Sequence, residues 1–205
     1  MRLVWDISQI HMYLCVQVNV VINQGRTTAF ELSRLIARGL ELDIAIYKEV
    51  GRDAFFEFSP DDDAVYVANV PLQDIEEKEK KALNTAVSYE ILLSKAREIA
   101  RDCSYGMDYR DCFLYCVFAT LHEFGHFDTR QRLLASDYMG LANERERLLA
   151  QLKTKLQIAS NLNRDERDSR REYELGYRNI PFEKIADDYA EKLMPEVLAA
   201  LIAKD

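Results

Sequence analysis

The run from Cys112 through Leu121 (Cys-Phe-Leu-Tyr-Cys-Val-Phe-Ala-Thr-Leu) constrains the fold more than any other part of the chain. Wound as a helix it is apolar on nearly every side, and such a helix has no face to give to water, so it belongs at the centre of a domain. It is also too short to cross a bilayer, which takes about 18–20 apolar residues, and no other stretch does better. Cys112 and Cys116 lie four apart within it. With no second cysteine pair nearby, they read as reduced thiols packed in a core rather than as metal ligands.

The other elements follow from patterning. Residues 16 to 22 alternate as a strand does. Thr27 or Thr28 caps a helix running to about Leu42, with Gly39 near its end. Three β-like runs follow, at 44–47, 54–58 and 64–70, separated by Gly51-Arg52-Asp53 and Pro60-Asp61-Asp62-Asp63, and they read as a small antiparallel meander. Asp74 with Glu77 suggests a helix start, with helical patterning to about Ala100, in one piece or two. Asp108 is placed to open the central helix. Residues 141–160 are helical by composition. The stretch 163–174 mixes charges of both signs and reads as a solvated helix face or a loop. A last helix starts near Pro181, and Pro195 is expected to break or kink it.

The chain has 205 residues, enough for one domain that buries its core without disulfide or metal staples. A single domain over 1–205 is therefore expected. Seven glycines and four prolines leave no room for a low-complexity linker. The net charge of −8 is a poor match to a phosphate backbone, so no nucleic-acid partner is expected. Residues 1–6 show no secretory signal, and the four cysteines form no disulfide framework. The expected location is the cytoplasm, with no membrane partner.

The central run leads directly into His122-Glu123-Phe124-Gly125-His126, an H-E-x-x-H sequence that uses two of the chain's three histidines. Residues four apart share one helix face, so both imidazoles reach one metal ion. Glu123 is rotated about 100° from His122. It can reach a water on that metal and take its proton without itself being a ligand. A third protein ligand is needed. The longer H-E-x-x-H-x-x-G-x-x-H pattern fails, because Thr129 and Arg132 stand where glycine and histidine would be. Glu183-Lys184-Ile185-Ala186-Asp187 supplies an alternative at the start of the last helix. There Glu183 serves as third ligand, and Asp187, on the same face, accepts a hydrogen bond from a ligand histidine. His₂Glu ligation favours one Zn²⁺ per chain over magnesium or calcium.

These two blocks, His122–His126 and Glu183 through Pro195 (Glu-Lys-Ile-Ala-Asp-Asp-Tyr-Ala-Glu-Lys-Leu-Met-Pro), resemble the ImmA/IrrE family of gluzincin-type metallopeptidases over about residues 112–200. The resemblance implies an α+β, zincin-like fold in which a small sheet packs on helices around the central H-E-x-x-H helix. It implies zinc ligands at His122, His126 and Glu183 and a catalytic base at Glu123. It also implies hydrolysis of a peptide bond in a protein or peptide substrate, with site-specific cleavage of a regulatory protein as the family's habit. The alternative is a zincin scaffold that binds or senses and cuts little or nothing. Two departures stand out. The interval between the blocks is long for the family, so about 136–176 reads as a helical insertion that covers the cleft, binds a partner or holds the enzyme inactive. The first hundred residues do not align.

Lesser expectations complete the reading. Gly125 costs a helix about 1 kcal/mol against alanine, which a close approach of the Glu183 helix would explain. Tyr177, Tyr173 and His11 are candidates to stabilise an oxyanion. Asp128 points away from the histidine face. The strand at 64–70 is a candidate sheet edge for docking an extended peptide.

Overall fold

The computed structural model describes residues 27–49, 55–81, 83–103 and 111–202. The expected strand at 16–22, His11, Cys15 and Asp108 lie outside them. Among the described residues the order is α1 (Ala29–Gly39), β1 (Ala45–Glu49), β2 (Phe56–Ser59), β3 (Ala64–Ala68), α2 (Leu72–Glu79), α3 (Leu83–Asp102), α4 (Asp111–Arg132), α5 (Ala135–Asn161), α6 (Glu166–Arg178) and α7 (Pro181–Ile202). This is an α+β arrangement, mostly helical with one small sheet. No helix among the described residues is long and apolar enough to cross a membrane.

The sheet is not the expected meander. Its order is β1-β3-β2, with β1 parallel and β2 antiparallel to β3. The reason lies in β3 itself. Ala64, Val65 and Val67 are completely buried, so the most apolar strand takes the centre and both neighbours pair with it. The expectation that 64–70 offers an open edge is overturned for the same reason, since β3 has partners on both sides. Among the described residues no strand pairs with the outer edge of β2, which lies against α4. Phe55 C=O accepts from Ala68 N–H, so the alternate residues Phe56 and Phe58 turn their backbone groups away from β3.

Helix α4 lies where its apolar run requires. Every residue from Phe113 to His122 is buried. It packs against α7, α3, α1 and β2. A buried hydrogen bond of 2.8 Å joins Ser33 Oγ on α1 to Thr120 Oγ1 on α4. Cys116 is fully buried in this core, Cys112 is half-buried, and neither is in a disulfide.

The helix starts show which local signals were sound. Thr28 caps α1 with a full capping box, its side chain accepting from Glu31 N–H and the Glu31 carboxylate accepting from Thr28 N–H. Asp74 caps nothing. Helix α2 starts two residues earlier, after Pro71, and Asp74 lies in its first turn, where a carboxylate still suits the helix dipole. The helical stretch beyond it does divide, into α2 and α3. The charged stretch folds as helix α6, capped by Asp165 accepting from Asp168 N–H. Pro195 does not break α7, which continues to Ile202. Met194, Val197, Leu198 and Leu201 remain buried around it, and this packing outweighs the one helical hydrogen bond a proline removes.

Gly125 is where α4 and α7 touch. A Cβ there would lie 2.8 Å from Ala186 Cα, 3.0 Å from Ala186 O and 3.0 Å from Tyr189 Cβ. The expected close approach of the Glu183 helix is therefore present. Helices α5 and α6, which span the expected insertion, form a second apolar cluster with the start of α7 around Tyr138, Ile180 and Phe182.

Candidate metal centre

α4 carries His122, Glu123 and His126 at its buried end, and the first turn of α7 carries Glu183. Because Gly125 lets these helices meet at Ala186, the two imidazoles and the Glu183 carboxylate reach one point. His122 Nε2 and His126 Nε2 are 3.2 Å apart, and Glu183 Oε2 lies 3.4 Å from each. A tetrahedral ion held at about 2.0–2.1 Å needs ligand atoms separated by about 3.3–3.4 Å. The three observed edges match that requirement. The three residues are buried and form a group able to hold a metal ion. Glu183 is only 1% exposed, yet its Oε2 has no hydrogen-bond partner, so a buried carboxylate oxygen faces two imidazoles with nothing between them. Such an atom is costly unless a cation sits against it.

Asp187 does what the spacing suggested. His122 Nδ1–H donates to its Oδ1 at 2.8 Å, since a carboxylate can only accept. That leaves the His122 Nε2 lone pair for the cluster. Lys95 Nζ holds the other oxygen, Oδ2, at 2.8 Å.

The charges of the cluster act strongly on one another. Burial works against the imidazolium of His122, but the carboxylates of Asp187 and Glu183 outweigh it and raise the pKa to about 9. Burial also works against ionised Glu183, yet His122 and His126 hold its carboxyl far below the usual range. Asp187 is lowered against burial by His122 and then by Arg178 and Lys95. The Glu183 and Asp187 carboxylates thus stay ionised despite burial and favour positive charge beside them.

Glu123 sits beside this cluster on α4. Its Oε2 accepts from Phe58 N–H at 2.8 Å, on the outer edge of β2. It lines a cleft of about 980 Å³ that also contains His122, His126 and Glu183.

Three cationic side chains at this site were not anticipated from the sequence: Lys95, Arg145 and Arg178. Arg145 on α5 donates from Nε to Glu183 Oε1 at 2.6 Å and from Nη2 to Tyr177 Oη at 3.2 Å. Arg178, at the end of α6, lies 3.4 Å from both His122 Nε2 and Asp187 Oδ1, with its Nε buried and without a partner. A signal for Arg178 existed, because it precedes Glu183 by only five residues and so stays near it in the fold. None existed for Arg145, which stands in Glu144-Arg145-Glu146-Arg147 and looks like any solvated face.

Comparison with protein-family models, with curated proteins and with solved structures finds no match to this chain.

The remaining candidates separate clearly. Tyr177 lines the cleft. Burial, followed by the charge of Glu183, raises its phenol pKa well above the ordinary value. Tyr173 lies elsewhere, on a groove between α5 and α6 with Leu152 and Gly176. Asp128 is half-buried, and its Oδ1 is 2.8 Å from Arg132 Nε. Thr129, in the position that would need glycine in the longer motif, turns its hydroxyl onto Gly125 C=O at 2.8 Å.

Proposed function

We propose that the chain is a zinc-dependent metallopeptidase of the ImmA/IrrE type. The observation that carries this reading is the triangle of His122 Nε2, His126 Nε2 and Glu183 Oε2, with edges of 3.2, 3.4 and 3.4 Å, placed at a cleft beside Glu123. The two nitrogens and one oxygen suit zinc better than the oxygen-seeking magnesium or calcium. Zinc bound there would act as a Lewis acid, lowering the pKa of a coordinated water from 15.7 to about 7.

The residues of the chain divide the remaining work. Glu123 accepts a proton at its carboxylate and returns it to the leaving amine. Phe58 N–H, donating to Glu123 Oε2, holds that carboxylate at the cleft. Phe56 and Phe58 present the outer edge of β2 in the same cleft, where an extended peptide would add as a strand and lie beside Glu123. Tyr177 and the guanidinium of Arg178 line the cleft and would meet negative charge developing on a carbonyl oxygen.

A second reading is a binding or sensing module without peptidase activity. It draws on the placement of Arg145 and Arg178 against Glu183, Asp187 and His122, where they partly neutralise the ligands from the protein itself.

Glu123→Gln separates the two. A peptidase loses cleavage of a proteome-derived peptide library by about 10²-fold or more while retaining its zinc. Wild-type protein that carries zinc and cuts nothing in that library favours the module.

A further inference from the structure

Glu183 is held from two sides. Oε2 faces both imidazoles without a hydrogen bond. Oε1 accepts from Arg145 Nε at 2.6 Å, a short charge-assisted contact. The guanidinium is itself fixed. It lies over the rings of Tyr177 and Phe182, 5.7 and 5.9 Å from their centroids, its Nη2 donates to Tyr177 Oη, and its Nη1 is paired with Glu146. Phe182 in turn stacks on His126 at 4.6 Å between ring centroids. One arginine thus braces the third ligand through its outer oxygen and touches the ring that backs the second.

A carboxylate whose outer oxygen is free can swing and offer both oxygens to one ion. A carboxylate whose outer oxygen is committed to a guanidinium offers one. From this geometry, and resting on the metal-centre reading above, we infer that Arg145 is a positioning residue. It fixes Glu183 as a single-oxygen ligand and so leaves a coordination position open for water or substrate. The charged helix α5 is then part of the wall of the metal centre, rather than an appendage laid over it.

The test replaces zinc with Co²⁺, whose visible absorption is intense when four-coordinate and weak at higher coordination, in the wild type, Arg145→Met, Arg145→Lys and Arg147→Ala. Methionine retains the apolar stem over Tyr177 and Phe182 but has no donor. Lysine retains a charge and one donor. Arg147 is two residues along α5, exposed and paired with Glu144, and serves as the control. Thermal melts of the metal-free proteins establish that each variant is folded. Arg145→Met is expected to lose the intense band several-fold as Glu183 becomes two-oxygen. Arg145→Lys restores most of it, and Arg147→Ala matches the wild type. If Arg145→Met does not fold, the comparison rests on Arg145→Lys and Arg145→Gln, with the larger loss expected in glutamine. An unchanged band in the folded donor-free variant overturns the inference, whatever happens to affinity, because a merely structural role moves affinity alone. A wild type that binds neither Co²⁺ nor Zn²⁺ overturns the metal centre itself, and this inference with it.

Discussion

Replacing Gly125 by alanine tests how α4 and α7 jointly build the site. In an ordinary helix interior this change is favourable by about 1 kcal/mol. Here the new Cβ would meet Ala186 Cα at 2.8 Å and Ala186 O at 3.0 Å. Both are backbone atoms of the facing helix and have no rotamer to escape into. Relaxing the closest contact to an ordinary 3.4 Å parts the helices by about 0.6 Å. Overpacking of this kind costs about 1–3 kcal/mol, which leaves a net loss of up to about 2 kcal/mol. The displacement matters more to the site than to the fold. Glu183 is three residues before Ala186, and metal–ligand distances tolerate only about ±0.2 Å, so zinc affinity should fall about tenfold or more. Gly140, in helix α5 with nothing within 4 Å of its would-be Cβ, supplies the contrast, because there alanine should stabilise by about 0.5–1 kcal/mol. The assay is denaturant unfolding of the metal-free proteins together with competition against a zinc chelator. If Gly125→Ala stabilises as much as Gly140→Ala and retains wild-type affinity, the argument from close approach is wrong.

Further outcomes follow from other contacts. Asp187→Ala frees His122 Nδ1 and should weaken zinc binding by about 10–100-fold while Glu183 stays in place, and chelator competition reads this directly; an unchanged affinity removes Asp187 from the site. Glu79 is buried and accepts from Tyr115 Oη at 2.6 Å. Burial raises its pKa above 4.5, partly opposed by that hydrogen bond. The folded state therefore holds this proton more tightly than the unfolded state, so its contribution to stability is full below about pH 4.5 and declines as pH rises through the folded value. Glu79→Gln should abolish the decline and become progressively more stable than wild type as pH rises, by about 1.4 kcal/mol for each tenfold difference in proton affinity. Unfolding at acid and neutral pH checks the sign. Leu121→Ala, at a fully buried position beside the motif, should cost about 2–5 kcal/mol, measured by the same unfolding.

What the sequence made legible was what a single segment decides. The burial of α4, the cap at Thr28, the shared face of His122 and His126 and the pairing of Glu183 with Asp187 all follow from spacing within one helix. Gly125 was also readable, because its cost within a helix asks for a reason. Contacts between segments were not readable. The position of β3 between β1 and β2 depends on which strand the core buries most deeply, and three short apolar runs do not rank themselves. Pro195 looked like a break because the packing that carries α7 past it is tertiary. Arg145 looked like surface because its partner lies on another helix, 38 residues away. The centre of the site was thus visible, and the residues that brace it were not.

The central claim is that His122, His126 and Glu183 hold one metal ion. Elemental mass spectrometry of the purified protein, with Glu183→Ala alongside, tests it most directly. The account predicts about one zinc per chain in the wild type, lost or much reduced in the variant. A wild type that takes up no metal after incubation with zinc, or a variant that retains it in full, would contradict the account.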